Sequence, residues 1–259
     1  MSDLGPEPPP PPPPPDLAPP PGYAGYTPNL SASLPLRRVG GLRTAIVVLL
    51  AVYAVGAVIQ LAGTGNVVDS ARDFLANEIS DDDFRDDLAA YNLSGAVTGA
   101  AQLALAVLSI IWLYRTVRNH QDIGRRLTWT PGWAIAGWFL PPYLYILPTL
   151  VLRETWKAAD PDVPPGDERW KSGSDNPLLW LWFVVFVIGS VVLLVISFRQ
   201  QFRVFGGDVE DLADAYEDAR GVLVAQAIMS ILGAVSWGLV VWSWTARHTR
   251  LTGEAAGRS

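Results

Sequence analysis

Apolar and polar positions fall into long blocks along this chain. Four blocks carry no charged residue at all: 44–62, 96–114, 178–198 and 221–244. At about 1.5 Å per residue, helices of these lengths span about 28–36 Å, close to the hydrocarbon thickness of a bilayer. Each block predicts a transmembrane helix.

A fifth apolar block, 132–152, has a different character. It reads GWAIAGWFLPPYLYILPTLVL, with Pro141 and Pro142 at its centre and Pro148 further on. Each proline removes a backbone hydrogen bond and costs about 3 kcal/mol inside a continuous helix. A straight span is not expected here, and a break in lipid needs protein or water over the freed carbonyls.

Charge decides the topology. If 132–152 does not cross and both termini are cytoplasmic, 14 basic residues lie inside and 5 outside. If it crosses fully, the counts become 10 and 9. The positive-inside rule selects the first arrangement. Arg199 and Arg203, next to a helix end on the outside, are its weakest point. The predicted fold is an all-α integral membrane protein of four transmembrane helices. They form two hairpins joined by a proline-broken re-entrant or interfacial segment. The flanks of that segment carry Trp129, Trp133, Trp138, Tyr143, Tyr145 and Trp156, residues that favour the headgroup level. The expected location is the cytoplasmic membrane of a bacterium.

Outside the blocks, residues 1–36 are low complexity, with an unbroken proline run over 8–15. Such a run forms a stiff, solvated polyproline II rod. It reads as a disordered cytoplasmic tail, either a spacer or a docking strip for aromatic grooves of a cytoplasmic partner. No basic and then apolar stretch opens the chain, so no secretory signal is expected. The membrane domain is placed at 37–250, and 251–259 reads as a second disordered cytoplasmic tail.

The net charge of −6 resides in two connections predicted to be extracellular. The first runs through Asp81, Asp82 and Asp83, the second through Asp208, Glu210 and Asp211. Val67, Val68, Ala71, Phe74, Leu75 and Ile79 recur at helical spacing in the first, so part of it is an amphipathic helix. Ser80 and Asp208 are predicted N-caps. Acidic residues at helix starts complement the dipole, and no calcium-loop spacing accompanies them. Both halves of the chain close on tryptophan followed by basic residues, and a two-fold internal repeat is expected from this.

Candidate chemistry is sparse. The chain has no cysteine and two histidines, His120 and His248, so thiol chemistry and a multi-histidine metal site within one chain are excluded. No span contains an ionisable residue, which weighs against proton relays and ion pumps. Neither an enzyme activity nor a cofactor is expected, and the acidic balance argues against nucleic acid. Gln60, Gln102 and Gln226 fall within spans, as interhelical glue or as the lining of a polar pathway. Gly95 and Gly99, and Ala234 and Gly238, sit four apart and read as close-packing positions.

The stretch WLYRTVRNHQDIGRRLTWTPGWAIAGWFLPPYLYILPTLVLRETWKAADP resembles the domain of unknown function 4328 family. The resemblance rests on Trp112, Arg115 and Asn119, then Pro131, Trp133, Gly137, Trp138, Phe139, Pro141, Pro148 and Glu154. Pro142-Tyr143-Leu144 departs from it, where many relatives carry a hydrophobic residue and asparagine. The resemblance implies a multi-pass membrane protein, mainly of actinobacteria, with no assigned activity. Two roles are therefore expected: an interaction or regulatory membrane component with a proline-rich cytoplasmic tail, or a small-solute or lipid transporter or channel using the broken segment. The oligomeric state is left open.

Overall fold

The computed structural model describes residues 36–140, 146–164, 166–189, 191–193, 195–196 and 208–257. The proline-rich tail, Pro141 to Tyr145 with the centre of the broken block, and 197–207 with Arg199 and Arg203 lie outside the described residues.

The described residues are helical, with turns and loops between. α1 (Gly40–Leu75), α2 (Asp81–Asp122) and α6 (Val209–Thr252) are long. Between them lie a single turn, α3 (Trp133–Ala136), then α4 (Ile146–Ala158) and α5 (Pro177–Trp182). α5 continues as a π-helical stretch, Phe183–Ile188. The blocks at 44–62, 96–114 and 221–244 fall inside α1, α2 and α6, and these three helices are long and apolar enough to cross a membrane. The block at 178–198 is described as helix through Ile188, and several of its later residues lie outside the description.

α1, α2 and α6 run well beyond their apolar blocks. At about 1.5 Å per residue they measure about 54, 63 and 66 Å, roughly twice the hydrocarbon thickness. The surplus is ordered by the residues that the sequence marks. Ser80 accepts the Asp83 amide while the Asp83 carboxylate accepts the Ser80 amide, a reciprocal N-cap for α2. Asp208 accepts the amides of Glu210 and Asp211 at the start of α6. Between α1 and α2 the chain reverses through Asn77 in the left-handed region (φ 59°). There Val67, Val68, Ala71, Phe84, Leu88 and Ala213 bury a small core of their own. The acidic residues lie around it: Arg72 pairs with Glu217 at 2.9 Å, and Ser70 donates to Asp87 at 2.7 Å.

The opposite, basic end is held by aromatic and polar contacts. Trp182 lies 4.8 Å from Trp237, Trp112 stands edge-on to Trp237 at 6.0 Å, and Trp156 lies 4.6 Å from Trp244. Trp138 also faces Trp237, at 6.3 Å. Trp138 and Trp156 thus turn inward, whereas Trp133 is 38% exposed. Trp237 alone meets three other indoles, and such ring pairs add to the burial of each side chain. α1 lacks a side-chain cap of its own. Glu254, just past the C-terminus of α6, supplies one by accepting the amides of Val39 and Gly40 at 3.1 and 2.9 Å.

Candidate functional site

Two places gather polar groups inside the bundle. The first lies in its acidic half. Two indoles pin α2 to α6 in the basic half: Trp112 Nε1 donates to Thr245 Oγ1 at 2.9 Å, and Trp237 Nε1 donates to Ser109 Oγ at 3.1 Å. On the acidic side of these two bonds a cavity of about 650 Å³ opens between α1, α2, α6 and the helical stretch after α5. Gln60, Gln102 and Gln226 all line it. So do Tyr53, Asn92 and Ser230. Tyr53 stands midway along the first apolar block, and Asn92 lies beyond the outer end of the second, so the cavity runs from mid-span towards the acidic end. No charged residue is among its described lining residues.

Small residues make this space. An ideal Cβ on Gly95 would meet Gln60 Nε2 at 3.2 Å, so the missing side chain leaves room for that amide. Gly99, one turn on, has nothing within 4 Å and opens onto the cavity. The close approach of α1 to α2 comes instead at Gly56, where a Cβ would meet Thr98 Oγ1 at 2.8 Å. The four-residue spacing is therefore divided: Gly95 packs, Gly99 leaves a void. At the outer rim Tyr216 stands edge-on to Tyr91 at 6.1 Å and its hydroxyl donates to Asn92 Oδ1 at 3.4 Å.

The second place is the basic end. Asn119, buried on α2, grips the Arg37 peptide from both sides: Arg37 N donates to Oδ1 at 2.9 Å, and Nδ2 donates to Arg37 O at 2.8 Å. This fixes the orientation of the amide. Its Nδ2 also faces His248 Nε2 at 3.1 Å. An amide nitrogen only donates, so His248 Nε2 accepts and its proton sits on Nδ1. That Nδ1 faces His120 Nε2 at 3.3 Å, and both rings are essentially inaccessible to solvent. Arg115 donates to Arg38 O at 3.1 Å, one residue along the same segment.

Close to His120, Arg125 is 2% exposed. Its guanidinium donates to the carbonyls of Asp160, Val163, Pro164 and Asp167. One arginine thus orders the loop after α4, whose prolines lack amides to satisfy those carbonyls. Glu154 acts in a similar way one layer away, accepting the Thr128 and Trp129 amides at 2.7 and 3.0 Å. Asp175 receives Arg153 at 2.8 Å and Lys157 at 3.1 Å. Partial burial opposes its charge, but those two cations outweigh the burial and hold the Asp175 carboxyl below its ordinary value of 3.8.

The remaining motif residues shape the connection from α2 to α4. Pro131 precedes α3, and Gly137 is buried where a Cβ would meet Trp133 O at 2.8 Å and Leu147 Cβ at 3.1 Å. Phe139 is 66% exposed. Pro148 is buried in the first described turn of α4. Pro141 lies outside the described residues. Among the described residues no three histidines or carboxylates converge on a point. Sequence reasoning missed the contact of His120 with His248, 128 positions away, and gave Arg125 no role beyond its charge. For the histidines, their positions six and four residues past the apolar blocks on two helices were the available signal.

A family model described as domain of unknown function 4328 matches residues 77–241. No curated protein and no solved structure matches the chain.

Proposed function

The chain belongs to the domain of unknown function 4328 family, and on that premise we propose that it is a multi-pass protein of the cell membrane that holds a small uncharged polar or amphipathic molecule in the glutamine-lined cavity. One observation carries this reading. Gln60, Gln102 and Gln226, on three different helices, line one space. A cavity of about 650 Å³ with uncharged donors and acceptors suits a ligand of modest size and no net charge.

In this reading the block at 178–198 is the fourth span and both termini are cytoplasmic. The segment 132–158 braces the bundle at the basic headgroup level. Trp244 Nε1 donates to Leu152 O at 2.9 Å, and Arg153, Glu154 and Lys157 of α4 place charges at that level. The protein is a binding or transport component and not an enzyme. The proline-rich tail is a docking strip for a cytoplasmic partner. The grip of Asn119 on Arg37 fixes the first residue of the membrane domain, next to that tail, to a residue of the family motif.

The test is mass spectrometry of small molecules that co-purify with the full chain in native lipid discs. Gly99→Leu points a side chain into the cavity, because an added Cβ there meets nothing within 4 Å. Loss of a co-purifying species in Gly99→Leu and in Gln102→Leu, with unchanged melting, is the expected result. Equal recovery from both variants and the parent would overturn the reading.

A further inference from the structure

A second open space lies on the outside of the bundle, between α1 and α6, and it is independent of the glutamine cavity. Its volume is about 320 Å³, and its lining is apolar throughout. Val47, Ala51 and Ala54 form one wall, and Ala234, Gly238 and Trp242 form the other. α1 and α6 pack along most of their length, yet these small side chains leave a furrow where larger ones would meet. At Gly238 an added Cβ would only just reach Leu50 Cδ1, at 3.5 Å. Between Ala234 and Trp242 the furrow runs about 12 Å along the helix. Val235, Leu239 and Trp242 on its rim are 55%, 46% and 54% exposed, so it faces the lipid.

At the basic end of the furrow stands Arg43, in the first turn of α1, one residue before the apolar block begins. Its guanidinium carbon lies 4.4 Å from the centroid of the Trp242 ring. Its Nε is buried and has no hydrogen-bond partner. Neighbouring arginines differ: Arg37 and Arg118 share Asp122, Arg153 holds Asp175, and Arg247 holds Asp160. No carboxylate pairs with Arg43 among the described residues. Glu254, the acid at the start of α1, is engaged by the Val39 and Gly40 amides.

We propose that this furrow is a binding site for an anionic phospholipid, with an acyl chain along Gly238 and the phosphate on Arg43. The arrangement matches a lipid part by part. A dry, tail-width groove ends at the headgroup level in a cation fixed over an aromatic ring. A guanidinium offers a planar fork of donors suited to phosphate. The missing counter-charge commits the site to an anion, and the apolar groove commits it to one carrying a chain.

The full chain is purified into discs of phosphatidylcholine with a minor fraction of phosphatidylglycerol, and lipids retained after transfer to mild detergent are weighed by native mass spectrometry. The parent protein retains phosphatidylglycerol several-fold over its share in the disc. Arg43→Gln brings retention to parity, and Gly238→Leu, which fills the furrow, removes retention of either lipid. Melting without added lipid verifies that both variants fold. Arg43→Lys keeps a charge and recovers part of the preference, which a folding defect would not do. Parity in the parent, or a preference that survives Arg43→Gln, overturns the site. So does a rise in melting temperature with inorganic phosphate in phosphatidylcholine discs that equals the rise with phosphatidylglycerol, because the acyl chain would then contribute nothing.

Discussion

Replacing Arg125 with methionine removes a side chain that reaches four carbonyls of one loop. Arg125 is 2% exposed, and its two terminal nitrogens serve Asp160, Val163, Pro164 and Asp167 at separations up to 3.3 Å. Pro161 and Pro164 have no amide, and of these four oxygens only Pro164 O has a backbone donor from the loop itself among the described residues, the Asp167 amide at 3.3 Å. A buried acceptor left unpaired costs about 1–3 kcal/mol. Three carbonyls are left without a partner, and if about half of them find water as the loop relaxes, the loss is about 2–5 kcal/mol. In a chain of this size that lowers the apparent melting temperature by roughly 5–15 °C. Arg169 and Lys171, just past the loop, also become faster tryptic sites in lipid discs. Lysine offers a point charge and not a fork, so Arg125→Lys falls between. Unchanged melting together with unchanged cleavage in Arg125→Met would refute the reasoning.

Asn119→Ala frees both polar groups of the Arg37 peptide and one nitrogen of His248; it is expected to cost about 2–4 kcal/mol, and hydrogen exchange at the Arg37 amide should rise before global unfolding. For Asp175 the sign follows from its lowered pKa: its stabilising effect is fully present above the ordinary value of 3.8 and is lost as pH falls through the folded value. Asp175→Asn therefore melts lower than the parent at pH 7, by about 0.5–1 kcal/mol after solvent screening, and the two curves converge under acid; a gap that persists at the lowest pH would contradict this.

Much of the fold was legible because bilayer constraints act on contiguous sequence. Three charge-free blocks map onto three long apolar helices, and the cap residues Ser80 and Asp208 stand where helix-start chemistry requires. Two features were not legible. The helices run far past their apolar blocks because Val67, Phe84 and Ala213 build a second core, and that convergence is tertiary. The inward turn of Trp138 and Trp156 likewise depends on partners at Trp237 and Trp244. Of the sites, the glutamines were visible individually, but their meeting at one cavity was not. It depends on Gly99 opening space and on two indole bonds closing the other half of the bundle. Asn119 was visible as a motif position, while its grip on Arg37 and the line through His248 to His120 join residues far apart in the chain.

Thiol accessibility at Gln102 tests the central claim most directly. The chain has no cysteine, so a single introduced one reports alone. A thiol reacts as its thiolate, which forms in water and not in lipid. In sealed vesicles, a charged, membrane-impermeant thiol reagent is expected to modify Gln102→Cys. It should spare Leu103→Cys, whose side chain is 72% exposed on the apolar exterior. Adding Gly99→Leu should then protect position 102. A Gln102→Cys as inert as Leu103→Cys would mean a dry, filled bundle, and would contradict the account.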